Sequence, residues 1–269
     1  MTSSAPQQTR NGTTPITVDR RPEGFAVVEL HRPPHNYFDV PLIRDLAGAY
    51  AELDADPDVR AIVLCSEGRN FCAGANFGGD GERTEEISTD VAGSLYAEAV
   101  RLFSVQTPVV AAVQGIAIGG GFGLAVSADF RVAGPGSRFC ANFSRLGLHQ
   151  GFGLSVSLPR VVGRQHALDM LVTGRRVGGE EAFRFGLVDR LVPDGEIRSR
   201  ACGLAAEIAA AAPLAVRSIR ATMRAGLAEE VAAITDHEAA EQLWLRDTAD
   251  FAEGVAASLE RRDPHFTGG

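Results

Sequence analysis

The chain has 269 residues, 45% of them hydrophobic and 22% charged, enough for one sizeable core or a core with a smaller helical appendage. A formal net charge of −8 argues against a nucleic-acid partner, and no apolar run approaches bilayer-spanning length, so no membrane partner is expected. Cys65, Cys72, Cys140 and Cys202 form no CxxC pair and the histidines show no metal-ligand spacing, which excludes a disulfide scaffold and leaves no metal site to expect.

Residues 1–14 are polar and read as a disordered lead-in; with no apolar targeting stretch there, the cytoplasm is the expected location. Ile16 to Asp19 and Phe25 to Leu30 read as a hairpin. Pro41 opens a helix with Leu42, Leu46, Tyr50 and Leu53 on one face. Ala61 to Cys65 is short and wholly apolar, as a buried parallel strand should be. Ser88, Thr89 and Asp90 offer N-caps for a helix to about Ser104. Pro108 to Val113 is a second buried strand, and a glycine-rich turn, a short helix and the strand Phe130 to Ala133 follow. This is a run of βαβ units with mostly parallel strands. After Gly195 the character changes to alanine-rich helices: Ile197 to Ala211, Leu214 to Arg224, Glu229 to Leu245 and Phe251 to Arg261. The expected organisation is a β/α core over 15–195 and a helical region over 196–269, some of whose apolar surface a second copy would cover.

Two glycine-centred turns carry the chemistry. Phe71-Cys72-Ala73-Gly74-Ala75-Asn76-Phe77 follows one buried strand. Gly115-Ile116-Ala117-Ile118-Gly119-Gly120-Gly121-Phe122-Gly123 follows the next. Small residues let a ligand approach the backbone, and glycine permits turns that expose N–H groups. Two such turns face to face would aim two donors at one oxygen, an oxyanion hole; tight packing of turns in a compact core accounts for either turn taken alone. A dinucleotide fingerprint fails, because Val126 and Val156 stand where the third glycine belongs.

These turns, in this order, resemble the oxyanion-hole segments of the crotonase superfamily, the enoyl-CoA hydratase/isomerase family. Further segments are similar to that family: His31-Arg32-Pro33-Pro34-His35-Asn36, the stretch from Gly178 to Val188, and Glu253-Gly254-Val255 with Glu260 to Phe266. The resemblance implies an α/β fold, a crotonase-like spiral of ββα units with an all-helical C-terminal trimerisation region. It implies homotrimers or dimers of trimers, and an acyl-CoA thioester as ligand, with coenzyme A entering as part of the substrate and no tightly bound cofactor. It places the two oxyanion donors at the N–H groups of Ala75 and Gly120, the second near a helix start whose positive end adds stabilisation. His35, Tyr37, Phe38, Ala73, Asn76 and Gly119 would line the coenzyme A and thioester channel.

The departures from the family pattern decide the chemistry. Hydratases of the family carry one glutamate where this chain has Gly123 and a second where it has Phe143. Adding water to a double bond needs a carboxylate pair or its equivalent, and neither glycine nor phenylalanine moves a proton. An aspartate nucleophile, as in the aryl-CoA dehalogenases, would fall at Gly151. Classical hydration is therefore not expected, and another acyl-CoA lyase, isomerase or hydrolase reaction is; the alternative is a non-catalytic acyl-CoA binder or structural subunit. His149 is the candidate acid/base, although its loop equally suits a stabilising histidine. Phe143, with Phe77 and Phe152, suggests a dry and bulky acyl end. Tyr96 reads as a core tyrosine, with a position facing the acyl pocket as the alternative, Asp129 ties down the spiral, Arg145 forms a surface salt bridge, and Arg217, Arg220, Arg224, Arg261 and Arg262 form a solvated face.

Overall fold

The computed structural model describes residues 14–76 and 89–269, with only the backbone described for residues 89–94; Phe77, Ser88 and nearly all of the lead-in lie outside the described residues. In chain order the elements are β1 (Ile16–Arg21), β2 (Phe25–Leu30), α1 (Val40–Ala55), β3 (Ala61–Ser66), α2 (Thr89–Ser104), β4 (Val109–Val113), β5 (Ile116–Ile118), α3 (Gly120–Ser127), β6 (Phe130–Ala133), β7 (Arg138–Cys140), α4 (Leu154–Thr173), β8 (Arg176–Gly178), α5 (Gly179–Arg184), β9 (Arg190–Leu191), α6 (Ile197–Ala209), α7 (Pro213–Met223), α8 (Leu227–Leu245) and α9 (Ala249–Glu260). Six strands form one sheet in the order β1-β2-β3-β4-β6-β9, and β5-β7-β8 form a second. The hairpin β1/β2 is antiparallel and β2, β3, β4, β6 and β9 run parallel, the α/β arrangement expected.

The wholly apolar strands are explained by burial on both faces. Ile62 and Leu64 of β3 face the main core, with Leu42, Leu46 and Tyr50 of α1. Ala61, Val63 and Cys65 face a second core closed by Ile197, Ala201, Leu204 and Ala205 of α6. Helix α1 begins where Asp39 accepts a hydrogen bond from the Leu42 N–H (2.9 Å), with Pro41 in the first turn. Helix α8 packs on α2 and α4, and α9 packs on a 3-10 turn at Ser144–Leu146. That last approach is close enough that a β-carbon on Gly254 would lie 2.6 Å from the Leu146 carbonyl carbon.

Asp129 ties the sheet to the C-terminal helices. Its carboxylate accepts from the Val109 N–H (2.8 Å), Arg220 Nε (2.8 Å) and Arg224 Nη1 (2.9 Å). The solvated arginine face expected from the sequence is corrected here: Arg220 and Arg224 keep only 10% and 15% of their side chains exposed. The physical reason is that α7 lies over the turn before β6, so guanidinium groups at 220 and 224 reach inward to a buried carboxylate that would otherwise be uncompensated. Arg217 pairs with Asp54 and Arg262 with Glu253. Ile219 and Met223 of the same helix are exposed, as are Leu214 and Trp244. Among the described residues no single helix is long and apolar enough to cross a membrane.

Candidate active site

The first glycine turn is held by the loop that precedes α1. Asn36 is fully buried at φ +50°, a left-handed conformation that asparagine tolerates. Its amide donates to the carbonyls of Glu67 (2.9 Å) and Asn70 (2.7 Å), and its oxygen accepts from the Arg32 N–H (3.0 Å). The Ala73 N–H donates to the His35 carbonyl (3.0 Å), and the Phe38 N–H to that of Gly74 (3.1 Å). His35 is exposed, Tyr37 is half-buried beside it with ring centroids 5.1 Å apart, and Phe38 is buried. The loop thus runs along the first turn, bringing His35, Tyr37 and Phe38 alongside Ala73 and Ala75.

The second turn locks onto the first through an isolated parallel bridge between Cys72 and Ala117. The Cys72 N–H donates to the Ile116 carbonyl and the Ile118 N–H to that of Cys72, both at 3.0 Å. The Gly119 N–H is taken by the Cys140 carbonyl (2.8 Å). Gly74, at φ +80°, lies where the turns approach: a β-carbon on it would be 2.7 Å from the Ile118 carbonyl oxygen and 3.6 Å from the Gly120 nitrogen. Ala75 and Gly120 are both half-buried, and among the described residues neither N–H has an acceptor. Gly120 is the first residue of α3, where the N–H groups of a helix are unpaired and carry its positive end.

Each glycine of the second turn meets a different neighbour. A β-carbon at Gly121 would lie 2.4 Å from the Cys72 carbonyl oxygen, at Gly120 it would meet the ring of Phe38, and at Gly123 it would lie 2.7 Å from the Phe152 β-carbon. Phe143 is half-buried, its ring edge 3.9 Å from the β-carbon that Gly119 lacks. The Phe38 and Phe152 rings are 5.7 Å apart. Aromatic surface therefore stands around the two N–H groups, and no carboxylate occupies position 123 or 143. Burial pushes the Cys72 thiol up to about 12, so it stays protonated near neutral pH and offers no nucleophile there.

The hydrogen bonds and ring contact of His149 are with its own loop and with α8. Its Nδ1 lies 2.8 Å from the Gln150 carbonyl oxygen and its ring meets His237 edge-on at 5.7 Å. A carbonyl accepts only, so Nδ1 carries the proton in that bond and a neutral ring keeps Nε2 as an acceptor. Gln150 itself donates to Ser155 Oγ (2.9 Å).

The carboxylate that matters to this loop comes from α8. Glu238 is fully buried, accepting from the N–H groups of Gly153 (2.8 Å) and Ser155 (3.0 Å) at the start of α4. Burial pushes its carboxyl above the usual range; the bonds from Ser155 and Gly153 and the nearby His149 pull the other way. One turn further along, Gln242 donates to the His149 carbonyl (2.9 Å) and accepts from the Tyr96 hydroxyl (2.8 Å). Neither Glu238 nor Gln242 stands out as a site residue in the sequence. The available signal was their spacing, since Val231, Thr235, Glu238 and Gln242 form one buried helical stripe on which a carboxylate is out of place.

Comparison with known proteins agrees with this architecture. The model of the enoyl-CoA hydratase/isomerase family matches residues 20–269. The chain is 36% identical over 247 residues to a protein named probable enoyl-CoA hydratase from Rhodobacter capsulatus, covering 91% of this chain and 95% of that one. It is also 36% identical over 267 residues to one of the same name from Mycobacterium tuberculosis, covering 92% and 90%. Among solved structures, an enoyl-CoA hydratase from Mycobacterium avium subsp. paratuberculosis superposes with a TM-score of 0.82 at 27% identity, covering 95% of this chain and 100% of that one. An enoyl-CoA hydratase/isomerase from Pseudoalteromonas atlantica also superposes at 0.82, with 28% identity over 94% and 100%. On the family match along nearly its whole length, the chain belongs to the enoyl-CoA hydratase/isomerase family, whose members act on acyl-CoA thioesters.

Proposed function

We propose that the protein binds an acyl-CoA thioester with its carbonyl oxygen between the N–H groups of Ala75 and Gly120, and turns it over through an enolate or oxyanion without a pair of glutamates. The observation that carries this reading is the pairing of two acceptor-free N–H groups where the turns pack together with Gly123 and Phe143 at the acid positions. Two donors of this kind stabilise charge that develops on the thioester oxygen. The reaction is of lyase, isomerase or hydrolase type, with proton movement left to His149 Nε2 or to the substrate itself. The protein is cytoplasmic and works as a homotrimer or dimer of trimers.

His35, Tyr37, Phe38, Ala73, Asn76 and Gly119 line the channel, and Phe143 the acyl end. The phosphates of coenzyme A require positive charge on a chain of net charge −8 whose basic residues are all arginine. Arg220 and Arg224 are committed to Asp129. Arg69 is exposed, lies on the loop beside Asn70 and forms no ion pair among the described residues, so it is one of the arginines free to meet a phosphate.

Calorimetric titration with acetoacetyl-CoA, which mimics the enolate, against free coenzyme A tests the assignment. The thioester is expected to bind at least about tenfold tighter, roughly 1.4 kcal/mol. Equal affinities would overturn it. Binding with no turnover of any acyl-CoA would leave a non-catalytic binder.

A further inference from the structure

Away from the two glycine turns, three polar residues form a relay. The Thr17 hydroxyl oxygen lies 2.8 Å from His31 Nε2, and His31 Nδ1 lies 2.8 Å from Glu67 Oε2. An ionised carboxylate only accepts, so Nδ1 carries the proton of a neutral ring and Nε2 accepts from the Thr17 hydroxyl. Strand register explains the grouping. Thr17 stands opposite Glu29, and Glu29 opposite Cys65. Side chains alternate between faces, so Thr17, Glu29, His31, Cys65 and Glu67 share one face of the sheet. Cys65 belongs to the core closed by α6, whereas Phe38 and Cys72 beside the glycine turns belong to the main core. The backbone of Glu67 is held on both sides: its N–H donates to the Leu30 carbonyl (2.8 Å), and its carbonyl accepts from Asn36 (2.9 Å).

We infer that Thr17, His31 and Glu67 form a second catalytic centre, which hydrolyses small uncharged carboxylic esters through an acyl-Thr17 intermediate. A hydroxyl, a base within hydrogen-bond reach and a third group that orients the base are the parts nucleophilic catalysis needs. Thr17 is exposed, so an ester can reach it. In the first step Oγ bonds to the ester carbonyl carbon while its proton passes to Nε2. The bond from that carbon to the alcohol oxygen breaks, and the alcohol leaves with the proton. In the second step a water passes a proton to Nε2 and attacks the acyl carbon, which releases the carboxylic acid and restores the Thr17 hydroxyl. The edge of the sheet offers a donor for the carbonyl oxygen. The His31 N–H donates to the Pro15 carbonyl (2.9 Å), which makes Thr17 and Glu29 the next mutually bonded pair and turns the Val18 N–H away from β2. Strand β1 ends the sheet, so among the described residues that N–H stands unpaired beside the nucleophile. A cleft of about 310 Å³ borders the relay, lined in part by Glu29, Cys65, Glu67, Asp194 and Arg198. Arg198 is held by both oxygens of Glu29 at 2.6 Å. The carboxylates of this lining outnumber its guanidinium, which disfavours an anionic ester.

The test follows p-nitrophenyl acetate with the full chain. Nitrophenolate is expected to appear faster than in buffer, and mass spectrometry after an acid quench should find an acetyl group on the peptide carrying Thr17. Thr17→Val keeps the shape and removes the hydroxyl; it should lose the acetyl mark and slow the reaction about a hundredfold, as should His31→Gln. Glu67→Gln can donate to Nδ1 and leave the proton on Nε2, so kcat should fall about tenfold with KM unchanged. The anionic p-nitrophenyl hemisuccinate should react at least fivefold more slowly than the acetate. An acetyl mark confined to other peptides, the absence of any mark, or a Thr17→Val protein that keeps the full rate overturns the proposal. Equal turnover of the two esters overturns the preference for an uncharged substrate. None of these outcomes depends on the thioester site, because the relay and the glycine turns lie on different faces of the sheet.

Discussion

The β-carbon that a side chain at position 123 would carry lies 2.7 Å from the β-carbon of Phe152, and Phe152 is buried in the left-handed region at φ +62°. The ring fills the space that a residue at 123 would need, and it contacts Phe38 as well. The two positions therefore substitute as a pair. Gly123→Ala alone should destabilise by about 1–3 kcal/mol through overpacking, and Phe152→Ala alone by about 3–5 kcal/mol through cavity formation. The double variant should lose less than the sum, since Phe152→Ala removes the ring carbons that would lie 2.9 Å from the new β-carbon, although the 2.7 Å contact with the β-carbon of residue 152 remains. Denaturant unfolding of all four proteins gives the coupling; additivity within about 0.5 kcal/mol would show that the two sites do not share this space.

The same contact bears on hydration. Restoring both acids as Gly123→Glu with Phe143→Glu should not yield crotonyl-CoA hydration, because the carboxylate at 123 has no room beside Phe152. Adding Phe152→Gly, which removes the β-carbon as well as the ring and suits the left-handed backbone there, should bring a measurable rate, read as loss of the enoyl absorbance. A vigorous rate in the unmodified protein would refute the claim that the two missing glutamates matter.

Features set by local composition were legible in the sequence. The hairpin, the buried strands and the C-terminal helices follow from runs of apolar residues and from Pro and Gly punctuation. The absence of protons to move at Gly123 and Phe143 needs only the residue types. Contacts between distant positions were not legible. Nothing near Glu238 in the chain indicates that it caps Gly153, 85 residues away, and nothing near Arg220 points to Asp129, 91 residues away. Helix α4 escaped because Pro159 and a positive-φ Gly163 interrupt its pattern. The two arginines were misjudged because charge suggests solvent until a buried carboxylate is known to face it.

Asn36 should control the first turn. Asn36→Asp keeps the tolerance for a left-handed backbone but replaces an amide donor with a carboxylate facing the carbonyls of Glu67 and Asn70. Two carbonyls lose their donor and a buried charge gains no cation, a cost of about 2–4 kcal/mol. The thioester preference over free coenzyme A should fall several-fold, because Ala75 lies on the loosened turn. Retention of both stability and preference would remove Asn36 from this role.

Among the described residues Asp129 is the single carboxylate facing both Arg220 and Arg224. Asp129→Asn should destabilise by about 3–5 kcal/mol, the range for leaving a buried charge unpaired. Arg224→Met, which removes one cation and its desolvation together, should cost much less. Thermal unfolding of both variants distinguishes the cases, and near-equal losses would contradict the picture of a charge cluster.

The C-terminal tail gives the pH prediction. Glu253 chelates Arg262 through both carboxylate oxygens and accepts from the His265 N–H (2.7 Å). These bonds hold its carboxyl down to about 2, the Arg262 hydrogen bonds being the largest cause. A carboxyl whose folded pKa is depressed contributes its stability above the unfolded value and loses it as pH falls through the folded one. The tail should therefore stay docked at pH 5, loosen between the ordinary glutamate range and about 2, and show no loosening on the alkaline side. Amide exchange of His265, whose N–H Glu253 accepts, followed against pH, reads this directly. Glu253→Gln should make that amide exchange fast at neutral pH, and protection that persists in that variant would mean that Glu253 does not hold the tail.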